Sequence, residues 1–414
     1  MICQSRASYA AGAGVAVAAA PLVYMLSLMW WIPDGAKYVP GIVGGAILLY
    51  GVFWRLPERD QGLKRKQWPF LLAAWAFVVV SAASYLLNDG SWSELRALLV
   101  MAVYISFFCG VRFRSGFFTA ILLVCAAGFI TLTFYQYSQT GGRVGGFINP
   151  IPYSTAVGAV VLVLLAMLLF ANISLWQRVA FGAIFVPLVA ALLMTKTRGV
   201  VGPVFVICAG LLFTLLMQNE RRRFLKSLIV IAILASVAVV AGKTFLTDRL
   251  SQTANEYEAL SEGNYDGSFG VRLQLWQASG ELIARKPVMG YGNGYRDALE
   301  ELHRTGNLKE SLYRFEANHF HNQFIDTTVK KGLIGGLALV LLLIAAARMV
   351  YLAPGATWQR YGGLSVVLLY AGASLTDVPL LHSQTIFLFF GLCFLLSSAN
   401  RRDNVEALSV RQPD

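Results

Sequence analysis

The sequence predicts an all-α polytopic membrane protein with about twelve transmembrane helices and one large helical loop outside the membrane. Hydrophobic residues make up 57% of the 414-residue chain and charged residues only 14%, with a mean hydropathy of +0.60. Soluble domains do not reach that balance. The apolar residues come in runs of bilayer-crossing length, and lysines and arginines gather in alternate short turns between them.

A helix needs about 20 apolar residues to cross the hydrocarbon core, and it must satisfy its own backbone there. The segments that qualify are 8–31, 38–54, 68–87, 95–111, 117–137, 153–171, 178–195, 200–217, 225–243, 333–352, 361–377 and 384–398. Arg6 followed by an Ala/Gly-rich run also reads as a secretory signal peptide. That run, however, continues through Leu22, Tyr24 and Leu28 to Trp30 and Trp31, long enough to span. With the N-terminus inside, the cytoplasmic turns hold Arg55, Arg59, Lys64, Arg65 and Lys66, then Arg112 and Arg114, Arg178, Arg221 to Arg223 with Lys226, Arg360, and finally Arg401 and Arg402. The alternate turns are poor in charge, so both ends fall inside and the large loop outside.

The formal net charge of +12 raises the question of a nucleic-acid partner. The stretch 244–331 carries 10 Lys+Arg and 12 Asp+Glu, leaving 24 and 10 elsewhere. The excess therefore lies in the short turns, where it orients the chain, and no nucleic-acid partner is implied. Organisation follows from this pattern: residues 1–243 hold nine helices, 244–332 the loop that caps the site, 333–399 three further helices, and 400–414 a cytoplasmic tail. Cys3, Cys109, Cys125, Cys208 and Cys393 all lie outside the loop, which excludes a disulfide framework or CxxC metal site there.

Within the loop, Val271, Leu275, Ala278 and Leu282 form one helical stripe between Phe269 and Arg285. Lys286-Pro287 stops that helix, and Gly290-Tyr291-Gly292-Asn293-Gly294 makes a tight turn. That turn follows a helix and lacks GxGxxG spacing, so it is not a dinucleotide site, and no P-loop is present. Shorter amphipathic pieces follow near Arg296–Arg304 and Leu308–Phe320, suited to a cap lying on the membrane.

The candidate chemistry is on the same side. Lys196 and Arg198 stand in an external turn where the topology otherwise excludes cations. Each is either an interfacial charge that snorkels to head groups or a phosphate ligand. Arg272 opens the loop helix, and Arg143 sits in the glycine-rich Gly141–Gly146 turn. For both, a surface charge or loop cap is the alternative to a guanidinium fork on phosphate oxygens. In Asn318-His319-Phe320-His321-Asn322, a helix would point the two imidazoles about 200° apart, which argues against a metal. A single general base, His321, fits better. Asn322 either orients a sugar hydroxyl or caps the next helix. Asp326, Lys330 and Lys331 read as interfacial residues of a helix entering the membrane.

In order along the chain, Thr195-x-x-Arg198-Gly199, Arg272-Leu-x-Leu-Trp276, Pro287-x-x-Gly290-x-Gly292, and His321-Asn322 followed by Lys331-Gly332-Leu333-Ile334-Gly335 resemble the bacterial O-antigen ligase and polymerase superfamily. The resemblance covers about Thr195 to Gly336; the N-terminal third matches mainly in topology. It implies an inverting glycosyltransferase of GT-C-like architecture, with the loop periplasmic. Such an enzyme moves O-antigen from undecaprenyl diphosphate to lipid A–core oligosaccharide at the outer face of the inner membrane, without metal, ATP or other cofactor. Carried onto this chain, it implies that Arg198 and Arg272 hold the diphosphate, that Arg143 assists, and that His321 is the base. His319, Asn322, Lys196, Gly290 and Gly292 are supporting candidates. Other lipopolysaccharide assembly proteins are the implied partners besides the bilayer and the two substrates. An O-antigen polymerase shares these motifs and stays open as an alternative. A transporter or flippase is the reading from a different class, against which stands the gathering of unusual polar residues at one face rather than at the midplane.

Overall fold

The structure, a computed structural model, describes residues 2–53, 59–218, 267–306 and 317–398, with Glu258, Ser261, Glu262 and Tyr265. Among them are thirteen α-helices and no strand. They are α1 (Ile2–Leu26), α2 (Val39–Phe53), α3 (Gln61–Asn88), α4 (Trp92–Phe108), α5 (Ser115–Thr140), α6 (Pro150–Phe170) and α7 (Leu175–Met194), followed by α8 (Arg198–Met217), α9 (Ser268–Arg285), α10 (Tyr295–Arg304), α11 (Gln323–Tyr351), α12 (Thr357–Ala373) and α13 (Ser383–Ser397). Six of these, α3, α5, α6, α7, α8 and α11, are long and apolar enough to cross a membrane. Each segment expected from the sequence overlaps a helix, except 225–243, which lies outside the described residues along with most of the amphipathic piece 308–320.

The bundle is built around α6. Every residue from Pro152 to Phe170 is buried, as a helix that is apolar all round requires. Its start is fixed by chemistry the sequence spells out: the Asn149 side chain accepts from the Ile151 N–H (3.0 Å), and Pro150 takes the first helical position, where no N–H is needed. Gly158 lets neighbours close in, since a Cβ there would sit 2.9 Å from Val204 of α8. Helices α5, α7, α8, α12 and α13 all pack on α6.

The loop carries its own small core. Val271, Leu275, Ala278 and Leu282, the stripe expected from the sequence, are buried with Tyr295, Ala298, Leu299, Leu302, Ala317, Phe320 and Val329. This unit docks on α11 through a break in that helix. Gly332 has φ 69° and ψ −176°, which takes it out of helical geometry. The Leu333 N–H donates to the Pro287 carbonyl (2.8 Å), and the Val329 carbonyl accepts from the Tyr291 N–H (2.9 Å). Two backbone groups in α11 thus bond to the loop turn instead of staying open at the break.

Glycine is required on both sides of this contact. A Cβ on Gly332 would lie 1.9 Å from the Val288 carbonyl oxygen, and one on Gly290 2.4 Å from that of Val329. Both have positive φ. Gly292 is likewise pressed against the Asn88 carbonyl at the end of α3. Gly290 and Gly292, candidates for the site in the sequence, therefore seat the loop on the bundle.

Gly332→Ala combines a left-handed backbone with a clash against fixed main chain, so it is expected to cost on the order of 2–3 kcal/mol. The measurement is the thermal midpoint of the purified protein in detergent; an unchanged midpoint would contradict this account of the docking.

Candidate functional site

The site starts from Phe320. Its ring is fully buried in the loop core, 5.5 Å from the Tyr295 ring. Its carbonyl accepts from Trp276 Nε1 (2.9 Å), and its N–H donates to Asp326 Oδ1 (3.2 Å). With Phe320 pinned at both backbone groups, the histidines on either side are directed together. The helical spacing expected from the sequence does not apply: this stretch precedes α11, and His321 has φ 49°. The two imidazoles meet edge to face, with centroids 4.3 Å apart.

Asn322 then starts α11. Its side-chain oxygen accepts from the Phe324 and Ile325 N–H groups (3.0 and 3.1 Å), so the capping reading holds, while its Nδ2 donates to the Leu375 carbonyl (3.4 Å). Gln323 adds a backbone bond to Ser374 (2.8 Å) and accepts from the Leu380 N–H (2.8 Å). The start of α11 is in this way stitched to the turn between α12 and α13.

That turn supplies a residue the sequence reading left out of the site. Asp377, 4% exposed, places Oδ1 4.0 Å from His319 Nε2 and Oδ2 3.9 Å from His321 Nδ1. Burial pushes its carboxyl up. The two imidazoles and the Val378 N–H outweigh that, and the group lies below the ordinary carboxylate value. His319 is pushed down to about 4, chiefly by burial, with Asp377 opposing. His382, which caps α13, is also lowered by burial and senses Asp377. Near neutral pH the Asp377 carboxylate therefore faces a neutral His319. The sequence signal that could have found Asp377 is a lone acid in a short turn between two apolar runs.

One donor atom from each of His319, His321 and Asp377 lies within 4.8 Å of the others, a group that could hold a metal ion. The internal hydrogen bonding disfavours it. The His321 N–H donates to His319 Nδ1 (3.3 Å), so the proton of neutral His319 sits on Nε2 and points at Asp377, where a metal would need a lone pair.

Two of the cation-bearing segments are linked to the elements that carry this cluster. Arg272 is one helical turn from Trp276 and on the same face of α9, and Trp276 bonds Phe320. Arg272 Nε is buried and has no hydrogen-bond partner among the described residues. On the other side, the Thr376 hydroxyl donates to the Gly199 carbonyl (3.2 Å). A Cβ on Gly199 would lie only 2.3 Å from that hydroxyl. The turn bearing Asp377 thus rests on the residue after Arg198, which opens α8. Arg143 joins this end: its Nε donates to the Thr195 carbonyl (2.9 Å). Lys196 stands between Thr195 and Thr197 with φ 52°.

Asp326, Lys330 and Lys331 are not interfacial, contrary to the expectation. They are 1%, 8% and 5% exposed. Lys330 pairs with Asp326, and Lys331 reaches Glu94 and Ser81 on the neighbouring helices α4 and α3. Burial forces such pairing, because an isolated charge there would cost several kcal/mol.

Fold and site together define a multi-pass helical membrane protein with a carboxylate–imidazole cluster joined through packed residues to the arginine-bearing turns. Residues 183–340 match the family model for the O-antigen ligase domain. It is 22% identical over 214 residues to an O-antigen ligase of Escherichia coli, covering 51% of this chain and 50% of that protein. It is also 24% identical over 177 residues to an uncharacterized protein of Haemophilus influenzae, covering 41% and 43%. The matches thus span about half the length of these curated relatives.

His319 gives a pH prediction. Its folded value of about 4 lies below the ordinary 6.5. As pH falls between those values the unfolded chain takes up a proton that the folded chain refuses, so stability falls, by up to roughly 3 kcal/mol. His319→Gln removes this component. Its thermal midpoint should drop less than that of the parent between pH 7 and pH 5; equal drops would refute the assignment.

Proposed function

We propose that the protein transfers O-antigen polysaccharide from undecaprenyl diphosphate to the lipid A–core oligosaccharide, with inversion at the transferred sugar carbon. The reading places the reaction at the periplasmic face of the inner membrane, with twelve spans, both termini cytoplasmic and residues 244–332 as the cap. The family match and the name of the Escherichia coli relative support the reaction class. The observation that supports this assignment of roles is His321 standing against buried Asp377, with Trp276, one turn from Arg272, bonded to Phe320, and Thr376 bonded to Gly199, the residue after Arg198.

In this reading His321 Nδ1 faces Asp377, and its Nε2 receives the proton of the acceptor hydroxyl. The carboxylate orients the ring and stabilises the imidazolium that forms. The hydroxyl oxygen bonds to C1 of the sugar as the C1–O bond to the diphosphate breaks, and the carrier leaves as a polyprenyl diphosphate. Its developing negative charge needs fixed cations in a poorly solvated place, where each stabilising group contributes about 3–4 kcal/mol. Arg272, with a buried and uncommitted Nε, suits this role. Arg198 and Lys196 add charge at the N-terminus of α8, where the helix dipole also favours an anion. Arg143, tied to the same turn, contributes there or to phosphates of the acceptor. The polyprenyl chain lies along the apolar helices. The energy is stored in the lipid diphosphate, so nucleotide hydrolysis is unnecessary.

The test is transfer by purified protein in detergent from lipid-linked glycan to lipid A–core. His321→Ala is expected to lower kcat about 100- to 1,000-fold. Asp377→Asn should lower it about 100-fold with the donor KM nearly unchanged, because orientation rather than binding is lost. Arg272→Lys keeps the charge but loses the planar fork, for an expected loss of about 10-fold or more. A His321→Ala protein that transfers at the parental rate sinks the base assignment, and an undiminished Arg272→Lys removes the phosphate role.

A further inference from the structure

Besides the Phe320 carbonyl, held by Trp276, three backbone groups of the segment that carries the histidines are held by side chains from outside it. Phe320 N–H is taken by Asp326 Oδ1 (3.2 Å). The Asn318 carbonyl accepts both from the Tyr295 hydroxyl (2.7 Å) and from Lys330 Nζ (3.5 Å), and the Ala317 carbonyl accepts from the same hydroxyl (3.2 Å). Lys330 and Asp326 bond each other at 2.8 Å, and the ammonium also stands 4.8 Å from the centre of the Tyr295 ring. One carboxylate oxygen therefore serves a main-chain N–H and a cation at once, and that cation reaches back to the carbonyl two residues before Phe320.

A buried ion pair is a poor source of stability. Well-packed neutral groups of similar volume commonly replace one at no net cost, because desolvation consumes the Coulombic gain. This pair is one turn apart on α11, where a local contact could form without any loop. What distinguishes it is that both members also hold main chain of a segment outside the helix. That segment needs holding, since His321 sits at φ 49°, a conformation unfavourable for a residue with a side chain. The half-helix bearing the pair is itself fixed. Gly332 interrupts α11 just beyond it, and Lys331 anchors it through Glu94 and Ser81.

We propose that Asp326 and Lys330 are positioning residues for the transfer reaction: together they impose the turn that sets His321 against Asp377. They touch neither substrate. This rests on the function proposed above. Loss of the pair lets the turn relax, so the base moves off line while the substrates still bind.

The experiment measures kcat and KM for lipid-linked donor and for acceptor, with the thermal midpoint of each variant, using the full chain in detergent. Asp326→Asn keeps an oxygen for the Phe320 N–H, whereas Asp326→Ala does not. The alanine variant is expected to lose about 100-fold in kcat and the asparagine variant only a few-fold, both KM values staying within about twofold. Lys330→Met should fall between them. The doubly neutral Asp326→Asn, Lys330→Met protein keeps the Phe320 contact and leaves no unpaired buried charge. It serves as the folded reference if a single variant does not accumulate, and is expected near the kcat of Lys330→Met or above it.

Equal kcat for the asparagine and alanine variants and the parent overturns the proposal. So does a parallel loss of kcat, KM and thermal midpoint, which would mark a merely structural pair. The two readings separate on His321→Ala. If that variant is inactive while the Asp326 and Lys330 variants transfer normally, the positioning role alone fails; if it is active, the function proposed above fails first.

Discussion

Everything at the site depends on a pair of main-chain hydrogen bonds at the interruption of α11. There Leu333 donates to Pro287 and Val329 accepts from Tyr291. An α-helix ordinarily closes such groups on itself, and within an apolar bundle any that stay open are costly. By closing them on the loop instead, the chain converts a helix defect into a joint between the polar loop and the apolar bundle. The joint fixes α9 and α10 relative to the first turns of α11, and with them the distance between Arg272 and His321. Three glycines make it possible, because any side chain at Gly290, Gly292 or Gly332 would occupy space already taken by carbonyl groups.

Downstream of that joint, burial sets the protonation pattern. Asp377 stays ionised despite being enclosed because two imidazoles and a backbone N–H face it. His319 stays neutral because enclosure opposes its charge more strongly than Asp377 favours it. The result is an unequal assembly in which charge resides on one member and hydrogen-bonding direction on the others. His319 is committed through Nδ1 to the main-chain N–H of His321.

Much of this was legible in the sequence, and the rest was hidden for identifiable reasons. The apolar runs mark the helices because bilayer-length hydrophobicity is a local property, and the stripe Val271, Leu275, Ala278, Leu282 reported a buried face correctly for the same reason. Arg143, Lys196 and Arg198 could be grouped from topology alone, and the bond from Arg143 to Thr195 joins the two turns that carry them. The His319–His321 relation was misjudged because a periodicity was applied to residues that lie before the helix, one of them in a left-handed conformation. Asp377 escaped because its partners are more than fifty positions away, and a solitary acid in a short turn has no pattern around it. Asp326, Lys330 and Lys331 were misplaced because a charge at a helix entrance usually faces water. Here both ammonium groups turn inward, Lys330 to Asp326 one turn earlier and Lys331 to Glu94 and Ser81, which only tertiary packing supplies.

The enclosure of α6 has a bearing on what motions the molecule can use. Proteins that carry cargo across a bilayer commonly do so by swinging two halves against each other along a shared seam. A helix wrapped on every side offers no such seam: parting the bundle beside it would strip close-packed aliphatic surface with no partner to receive it. Rearrangement is then cheapest at the rim, where the loop meets the ends of the helices, rather than beside α6.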